Sequence, residues 1–189
     1  MHTLTIDESL RRVLNILLVE DSPVTTKLVS ELLKKSPHTR LDKCVTRLAD
    51  ALNTAKDYDF DVILLDLSLE DSSGYATFVA IQRAFPEAAI VILSSSQDEE
   101  LATAIVRRGA QDYLVKGSFD RKLLARCIRY AYERKQSTEA LRQSELTVRA
   151  IFENSLDATV IMDDSGLFLE ANFAAEELFG QSRSHLLGK

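Results

Sequence analysis

Short apolar runs alternate with stretches of helical period between residues 15 and 115. Five runs rich in leucine and β-branched residues predict strands at residues 16–19, 41–45, 62–66, 90–93 and 113–115. Several of these runs are almost continuously apolar, as strands covered on both faces require. Because each predicted strand is followed by a helical stretch, the pattern predicts βα units and an α/β fold with a parallel sheet.

The stretches between the strands carry apolar residues at helical spacing. These residues form four sets: Val24, Leu28 and Leu32; Leu48, Leu52 and Ala55; Phe78, Ile81 and Phe85; and Leu101 with Ile105. Pro23 suits the first turn of a helix, and Gly109 suits a position just after a helix end. The sequence therefore predicts four helices between the five strands.

A fifth helix is predicted to start near Asp120, with Ser118 as a possible cap, and to run to about Asn154. No proline or glycine interrupts this span. Six of nine positions at 3.5-residue spacing are apolar in the set Leu124, Cys127, Ala131, Arg134, Thr138, Leu141, Glu145, Val148 and Phe152. We interpret this weak heptad as a dimerising linker; the alternative is a solvated single helix with eight Lys/Arg against three Glu.

Charge separates the chain into segments of different character. The net charge is −6 over residues 1–120, +5 over 121–149 and −5 over 150–189. The basic segment lacks interleaved aromatic residues and a recognisable docking motif, so we do not expect nucleic-acid binding. The longest apolar run has six residues, 88–93, which is too short to span a membrane.

The N-terminus and the cysteines argue against an exported, disulfide-stabilised protein. Asp7 and Glu8 stand where a secretory signal needs an apolar stretch, so we expect a cytoplasmic protein. Cys44 and Cys127 lie 83 positions apart without a metal-binding spacing, and we predict that both are small buried apolar residues.

Candidate chemistry lies at the ends of the predicted strands. Glu20 and Asp21 follow the first strand, Asp66 ends the third, Ser94 follows the fourth and Lys116 follows the fifth. Ligands of open parallel sheets gather at the carboxyl ends of the strands, so these side chains should meet at one edge. Clustered carboxylates repel unless a cation or protons neutralise them, and Mg²⁺ prefers such oxygen ligands. The lysine and the serine hydroxyl would suit a phosphoryl group, and an aspartate nucleophile would form an acyl phosphate.

Four segments carry a resemblance to a known family: LLVEDS (17–22), ILLDLSLEDSSG (63–74), IVILSSS (90–96) and GAQDYLVKG (109–117). Residues 13 to about 130 resemble the CheY-like receiver domain of two-component response regulators. The resemblance implies a flavodoxin-like, doubly wound parallel sheet of five strands in the order 2-1-3-4-5. It also implies Mg²⁺ as cofactor and a histidine kinase or phosphotransfer protein as phosphodonor.

The resemblance assigns the acidic residues. It makes Asp66 the phosphoacceptor. It also makes Asp21 and Asp66 ligands of Mg²⁺, with Glu20 acting through water and Ser68 contributing its backbone carbonyl.

The resemblance also assigns a phosphoryl-binding pair and a switch. Ser94 and Lys116 would contact the phosphoryl group. Tyr113 falls on the family's switch aromatic, which rotates when the hydroxyl of Ser94 moves toward the phosphoryl group. A half-buried aromatic in an edge strand is the simpler reading of Tyr113, and both readings can hold together.

The sequence departs from the family pattern at two loops. Glu70 stands where the family commonly has proline after the acceptor, and Gly117 replaces the proline that usually follows the lysine, which puts a cis peptide there in doubt. Ser68 and Ser96 occupy positions that tune the lifetime of the acyl phosphate in the family. None of these changes touches the acidic residues.

The C-terminal tail predicts a different module. It contains two strands, 159–162 and 167–170, separated by a turn at 163–166 and followed by a helical stretch to Phe179. The segments FENS, DDSG, EANFAAEELFG and LLGK resemble the first part of a PAS sensory domain, an α+β fold of which residues 151–189 would be an incomplete portion. No residue identifies a PAS ligand, and His185 is expected to be a surface residue.

The combined interpretation has three parts: a receiver at 13–130, a helical linker at 131–150 that continues the last receiver helix, and the PAS segment at 151–189. We expect a phosphoaccepting signalling protein that dimerises through residues 120–152, catalyses only its own phosphorylation and dephosphorylation, and carries no output enzyme in this chain. One alternative is a docking scaffold that works without phosphorylation. A more remote alternative is an aspartate-nucleophile phosphatase, but Ser68 occupies the position of its usual second aspartate.

Overall fold

A computed structural model describes residues 12–95 and 99–188 of the chain. The predictions made for residues 1–11 and for Ser96 lie outside these ranges. The chain divides into two compact units at Gln136–Ser137. No helix in the described ranges is both long and apolar enough to cross a membrane.

The first unit contains a parallel five-stranded sheet with helices on both faces. Its main strands are β1 (Leu14–Val19), β2 (Thr39–Val45), β3 (Val62–Asp66), β6 (Ala89–Ser94) and β7 (Asp112–Val115), with a short hairpin of β4 (Ser68–Leu69) and β5 (Ser72–Ser73) after β3. The helices are α1 (Pro23–Lys34), α2 (Leu48–Thr54), α3 (Gly74–Ala84), α4 (Glu99–Val106) and the start of α5 (Arg121–Asn154). The sheet order is β2-β1-β3-β6-β7, which confirms the predicted flavodoxin-like topology.

Two apolar layers hold the sheet between its helices. Strands β1, β3 and β6 are almost entirely buried, as their continuous apolar runs predict. Helices α2, α3 and α4 cover one face, on which Phe78, Ile81 and Ile105 are buried. Helices α1 and α5 cover the other face through residues such as Val29, Leu33 and Ile128.

Strand β2 differs from the central strands because it lies at the edge of the sheet. Its residues alternate between half-buried and exposed, which is the pattern of a strand with one face open to solvent. Cys44 occupies an exposed position of this alternation, so the prediction that it is buried is wrong. Cys127 is buried, as predicted, between α5 and the sheet.

Helix α1 forms where the sequence predicts it, but its buried face is displaced by one residue. Ser22 caps the helix by accepting a hydrogen bond from the Thr25 N–H, and Pro23 occupies the first turn. The buried positions are Thr25, Val29 and Leu33, whereas Val24 is 78% exposed. Two adjacent apolar stripes run along this helix, and packing against the sheet selects the one that contains a threonine.

Helix α5 is a single element of 34 residues, as the absence of proline and glycine predicts. Its cap is Asp120, whose carboxylate accepts the Leu123 N–H at 2.8 Å; Ser118, the suggested cap, instead donates its N–H to the Val115 carbonyl. The first three heptad positions, Leu124, Cys127 and Ala131, are buried against the sheet of their own chain.

The second unit, residues 137–189, contains the later part of α5 and a small α+β element. It comprises an antiparallel hairpin, β8 (Val160–Met162) with β9 (Phe168–Ala171), followed by α6 (Phe173–Phe179) and α7 (Arg183–Leu186). Asn172 is fully buried at its centre. The Asn172 side chain accepts hydrogen bonds from Thr159 N and Ala175 N and donates to the carbonyls of Phe152 and Asp157. His185 is exposed, as expected.

Candidate functional site

The parallel sheet brings the predicted site residues to one edge. Glu20 and Asp21 follow β1, Asp66 ends β3, Ser94 ends β6 and Lys116 follows β7. These four strands are neighbours in the sheet and run in the same direction, so their carboxyl ends meet. The positions expected from sequence are therefore adjacent in space.

Three carboxylates form a compact acidic cluster at this edge. Glu20, Asp21 and Asp66 each offer an oxygen atom, and these atoms lie within 4.8 Å of one another. Glu20 and Asp66 are buried, and Asp21 is half-buried. Glu20 Oε1 accepts the Ser22 N–H at 3.0 Å, whereas the buried Oε2 accepts no well-formed hydrogen bond, although Lys116 Nζ lies 2.9 Å away.

Lys116 spans the two buried carboxylates. Its Nζ donates to Asp66 Oδ2 at 2.6 Å and to Glu20 Oε1 at 2.9 Å, and 23% of the Lys116 side chain is exposed. One ammonium group faces three carboxylates, so the pocket keeps a negative charge.

The pKa values of the buried groups follow from this arrangement. Burial raises the pKa of Glu20, the hydrogen bond from Lys116 opposes the rise, and the charge of Asp66 adds to it. Burial alone would lower the pKa of Lys116, but its hydrogen bonds and ion pairs with Asp66 and Glu20 reverse the effect, so the pKa of Lys116 is raised. A cation near Glu20 would favour its charged form.

The chemistry of this pocket fits a small divalent cation beside a phosphoryl group. The oxygen ligands, the negative charge and a buried carboxylate oxygen without a well-formed hydrogen bond suit Mg²⁺, which retains waters and is commonly completed by a phosphate oxygen. The Lys116 ammonium provides a fixed positive charge beside Asp66.

The remaining predicted residues lie on the hairpin and strands that adjoin the pocket. Ser68 follows Asp66 in the β4–β5 hairpin, which the sequence did not predict, and donates its N–H to Asp66 Oδ1 at 3.1 Å. Ser94 is buried, and its hydroxyl donates to the Ser95 carbonyl at 2.8 Å. Tyr113 is half-buried in the edge strand β7 and packs against the core that contains Phe78.

The loop after Lys116 takes a form that glycine permits. Gly117 has a φ of 79°, which lies in the left-handed region where a side chain would be strained. No cis peptide bond occurs within residues 12–95 and 99–188.

Asp71 makes a contact with α2 that was not predicted from the sequence. Its carboxylate accepts the N–H groups of Leu48 at 2.9 Å and Ala49 at 3.0 Å, at the start of α2. These bonds lower the pKa of Asp71, with the Ala49 N–H making the largest contribution. One feature of the sequence indicates that α2 needs a distant cap. Arg47 occupies the N-cap position of α2, and its side chain cannot accept a hydrogen bond.

Fold and pocket together define a class of protein: a doubly wound α/β protein with a carboxylate cluster and a lysine at the carboxyl edge of its sheet. The response regulator receiver domain is the family whose sequence model matches residues 16–128. The chain belongs to this family, whose members act in two-component systems. A second model, the PAS fold, matches residues 146–189.

Two curated response regulators are similar to this chain. The nitrate/nitrite response regulator NarP of Escherichia coli is 34% identical over 114 residues, 60% of this chain and 53% of the relative. The cell cycle response regulator CtrA of Brucella ovis is 30% identical over 177 residues, 93% of this chain and 66% of the relative. The chain spans about half the length of the first of these proteins.

Solved structures show the same fold. The receiver domain of a sensor histidine kinase from Pseudomonas aeruginosa is 27% identical, with a TM-score of 0.54 over 64% of this chain and 98% of that domain, and it holds a magnesium ion in its active-site cleft. The response regulator domain of Thermotoga maritima CheB is 23% identical, with a TM-score of 0.57 over 65% of this chain and 98% of that domain.

Proposed function

We propose that this protein accepts a phosphoryl group on Asp66 in an Mg²⁺-dependent reaction. The observation that carries the proposal is the acidic cluster of Glu20, Asp21 and Asp66 with Lys116 bound to two of its members. The carboxylates compete for one ammonium group, so the pocket suits an additional cation and then an anion that completes the cation's ligands.

The proposed metal ligands are the side chains of Asp21 and Asp66 and the backbone carbonyl of Ser68, with Glu20 acting through water. Bound magnesium would neutralise negative charge on the carboxylates and on the phosphoryl oxygens. Glu20 is fully buried, which supports a role inside the cation site rather than at the protein surface.

The proposed phosphoryl transfer needs only the donor and a proton from solvent. A carboxylate oxygen of Asp66 attacks phosphorus, an acyl phosphate bond forms, and the phosphorus–nitrogen bond of a phosphohistidine donor breaks. The imidazole leaves with the electron pair of the broken bond and takes up a proton from water. Lys116 Nζ, which now lies 2.6 Å from Asp66 Oδ2, would stabilise charge on the incoming phosphoryl oxygens.

Ser94 and Tyr113 are the proposed switch. The Ser94 hydroxyl would exchange its hydrogen bond with the Ser95 carbonyl for one with a phosphoryl oxygen. Tyr113 is half-buried, so its ring can reach a second packing without leaving a deep core position. A histidine kinase or phosphotransfer protein is the proposed donor, and residues 13–130, 131–150 and 151–189 are the proposed receiver, linker and PAS segment.

Small-molecule phosphorylation tests this function directly. The purified chain incubated with acetyl phosphate and Mg²⁺ is expected to gain the mass of one phosphoryl group, because the pocket supplies the cation site and the nucleophile. Intact mass spectrometry measures the gain, and hydroxylamine should remove it, since hydroxylamine cleaves acyl phosphates. A folded protein that gains no mass contradicts the proposal and favours a docking scaffold. An equal gain of mass with EDTA contradicts the proposed dependence on Mg²⁺.

We also propose that the chain forms a homodimer through helix 120–152. Leu124, Cys127 and Ala131 are buried in their own unit, so the seam available to a second copy consists of the later heptad positions. Its apolar members include Leu141, 62% exposed, and Val148, 64% exposed. An exposed apolar stripe at heptad spacing is the usual basis of a two-helix contact.

A charge placed in this seam should separate the dimer. Val148→Glu is expected to yield a monomer, because a dimer would place two like charges at the same level of the seam. The matched control is Leu146→Glu, which adds the same charge at an apolar position outside the heptad series and should leave the dimer intact. Sedimentation equilibrium measures both masses. A monomeric wild type, or equal effects of the two variants, contradicts the proposed seam.

A further inference from the structure

The loop that follows Asp66 is held on two sides. On the α3 side, the Gly74 N–H donates to the Leu67 carbonyl at 2.7 Å, and the hydroxyls of Ser72 and Thr77 are hydrogen-bonded at 2.7 Å. On the α2 side, Asp71 accepts the N–H groups of Leu48 and Ala49 with its two carboxylate oxygens.

Asp71 supplies a cap that α2 lacks in its own sequence. Arg47 has the extended backbone of an N-cap residue, with φ −133° and ψ 146°, but its side chain makes no capping hydrogen bond. The first N–H groups of a helix need acceptors, and serine, threonine, aspartate or asparagine usually provides them locally. Here the acceptor comes from a residue 23 or 22 positions away in sequence.

The position of Asp71 gives this cap a second consequence. Asp71 lies in the turn between β4 and β5, whose pairing sets Ser68 opposite Ser73 and Leu69 opposite Ser72. Ser68 also donates its N–H to Asp66 Oδ1. A two-residue ladder therefore joins the Asp71 turn to the backbone of Ser68.

We propose that Asp71 is a positioning residue for the cation site, because its bonds to Leu48 and Ala49 fix the hairpin that carries the Ser68 carbonyl. The inference rests on the proposed function, in which that carbonyl is a metal ligand. Groups that orient metal ligands commonly affect affinity by about 10- to 100-fold.

The test separates positioning from simple stabilisation of α2. Arg47→Ser gives the helix a local cap, so the double variant Asp71→Ala with Arg47→Ser restores the capping of α2 without restoring the tie to the hairpin. The full chain is compared in four forms: wild type, each single variant and the double variant. Calorimetric titration measures Mg²⁺ affinity, thermal unfolding without Mg²⁺ measures stability, and amide hydrogen exchange measures the opening of residues 67–73.

Asp71→Ala is expected to lower the unfolding temperature, weaken Mg²⁺ binding about tenfold and accelerate exchange in residues 67–73. The double variant should recover the unfolding temperature but keep the weak Mg²⁺ binding and the fast exchange. Arg47→Ser alone should bind Mg²⁺ like the wild type.

If the double variant recovers both Mg²⁺ affinity and stability, Asp71 acts only as a helix cap, and the inference is wrong. Unchanged affinity in Asp71→Ala would overturn it as well. If the wild-type protein binds no Mg²⁺, the proposed function is wrong, and the inference fails with it. This result differs from the other two because it is seen in the wild type, without any substitution.

Discussion

Asp66→Asn is expected to abolish phosphorylation by acetyl phosphate. The asparagine amide is uncharged and is not a nucleophile able to form the acyl phosphate. The variant should remain folded, because its amide oxygen can still accept the Ser68 N–H, Lys116 keeps its bond to Glu20, and the repulsion between Asp66 and the other carboxylates disappears. Intact mass spectrometry after incubation with Mg²⁺ measures the loss, and circular dichroism checks the fold.

The matched control for this variant is Asp61→Asn. Asp61 directly precedes β3, and its carboxylate also accepts a backbone N–H, from Asn15 at 2.8 Å, and pairs with a cation, Arg12 at 2.6 Å. The two substitutions therefore remove similar interactions at opposite ends of one strand. Phosphorylation should persist in Asp61→Asn. A phosphoryl group gained by Asp66→Asn would show that another residue is the acceptor.

Lys116→Ala is expected to destabilise the protein by about 3 kcal/mol at neutral pH, because it leaves two buried carboxylates without their cation. The loss should be smaller near pH 5. Burial already raises the pKa of Glu20, and removal of Lys116 removes the group that opposes this rise. A carboxyl group with a raised folded-state pKa contributes most stability below its unfolded-state pKa and loses that contribution as the pH rises.

Denaturant unfolding at the two pH values, with and without Mg²⁺, measures this effect. Mg²⁺ should recover part of the lost stability if it binds the carboxylates of the folded state. Lys122→Ala is the matched control, since Lys122 is an exposed lysine of the first turn of α5. Equal stability of the two variants at neutral pH would show that the Lys116 ion pairs contribute nothing net. The phosphorylation rate should also fall only in Lys116→Ala.

The strands and the position of the acidic residues at one edge of the sheet could be predicted from sequence, because both follow from the pattern of apolar runs. Continuous apolar runs marked the central strands, and the parallel direction of those strands carried Glu20, Asp66 and Lys116 to one edge. The predicted strand order already placed β2 at the edge of the sheet, but the exposure of Cys44 was not predicted, because the residues of this strand do not show which positions face solvent.

Most of the features that were not predicted from sequence are cases in which two neighbouring residues suit the same structural role almost equally well. Helix α1 carries two apolar stripes, and only contact with the sheet decides that Val29 rather than Leu28 faces the core. Ser118 and Asp120 can both cap a helix, and the turn after Val115 uses the first while α5 uses the second. The contact between Asp71 and α2 joins segments that are distant in sequence, so local periodicity does not predict it.

The different surroundings of the two cysteines make the unaltered chain suitable for site-selective labelling. Burial raises the pKa of both thiols, but it raises that of Cys127 much more, and the Cys127 Sγ donates to Asp112, so less reactive thiolate forms there. Cys44 is exposed, and the next residue, Val45, accepts the Glu20 N–H through its carbonyl. A maleimide fluorophore should therefore attach at Cys44, one residue from a backbone contact with the acidic cluster. Because the chain has tyrosines but no tryptophan, such a dye would provide a stronger optical signal for cation binding than its own side chains.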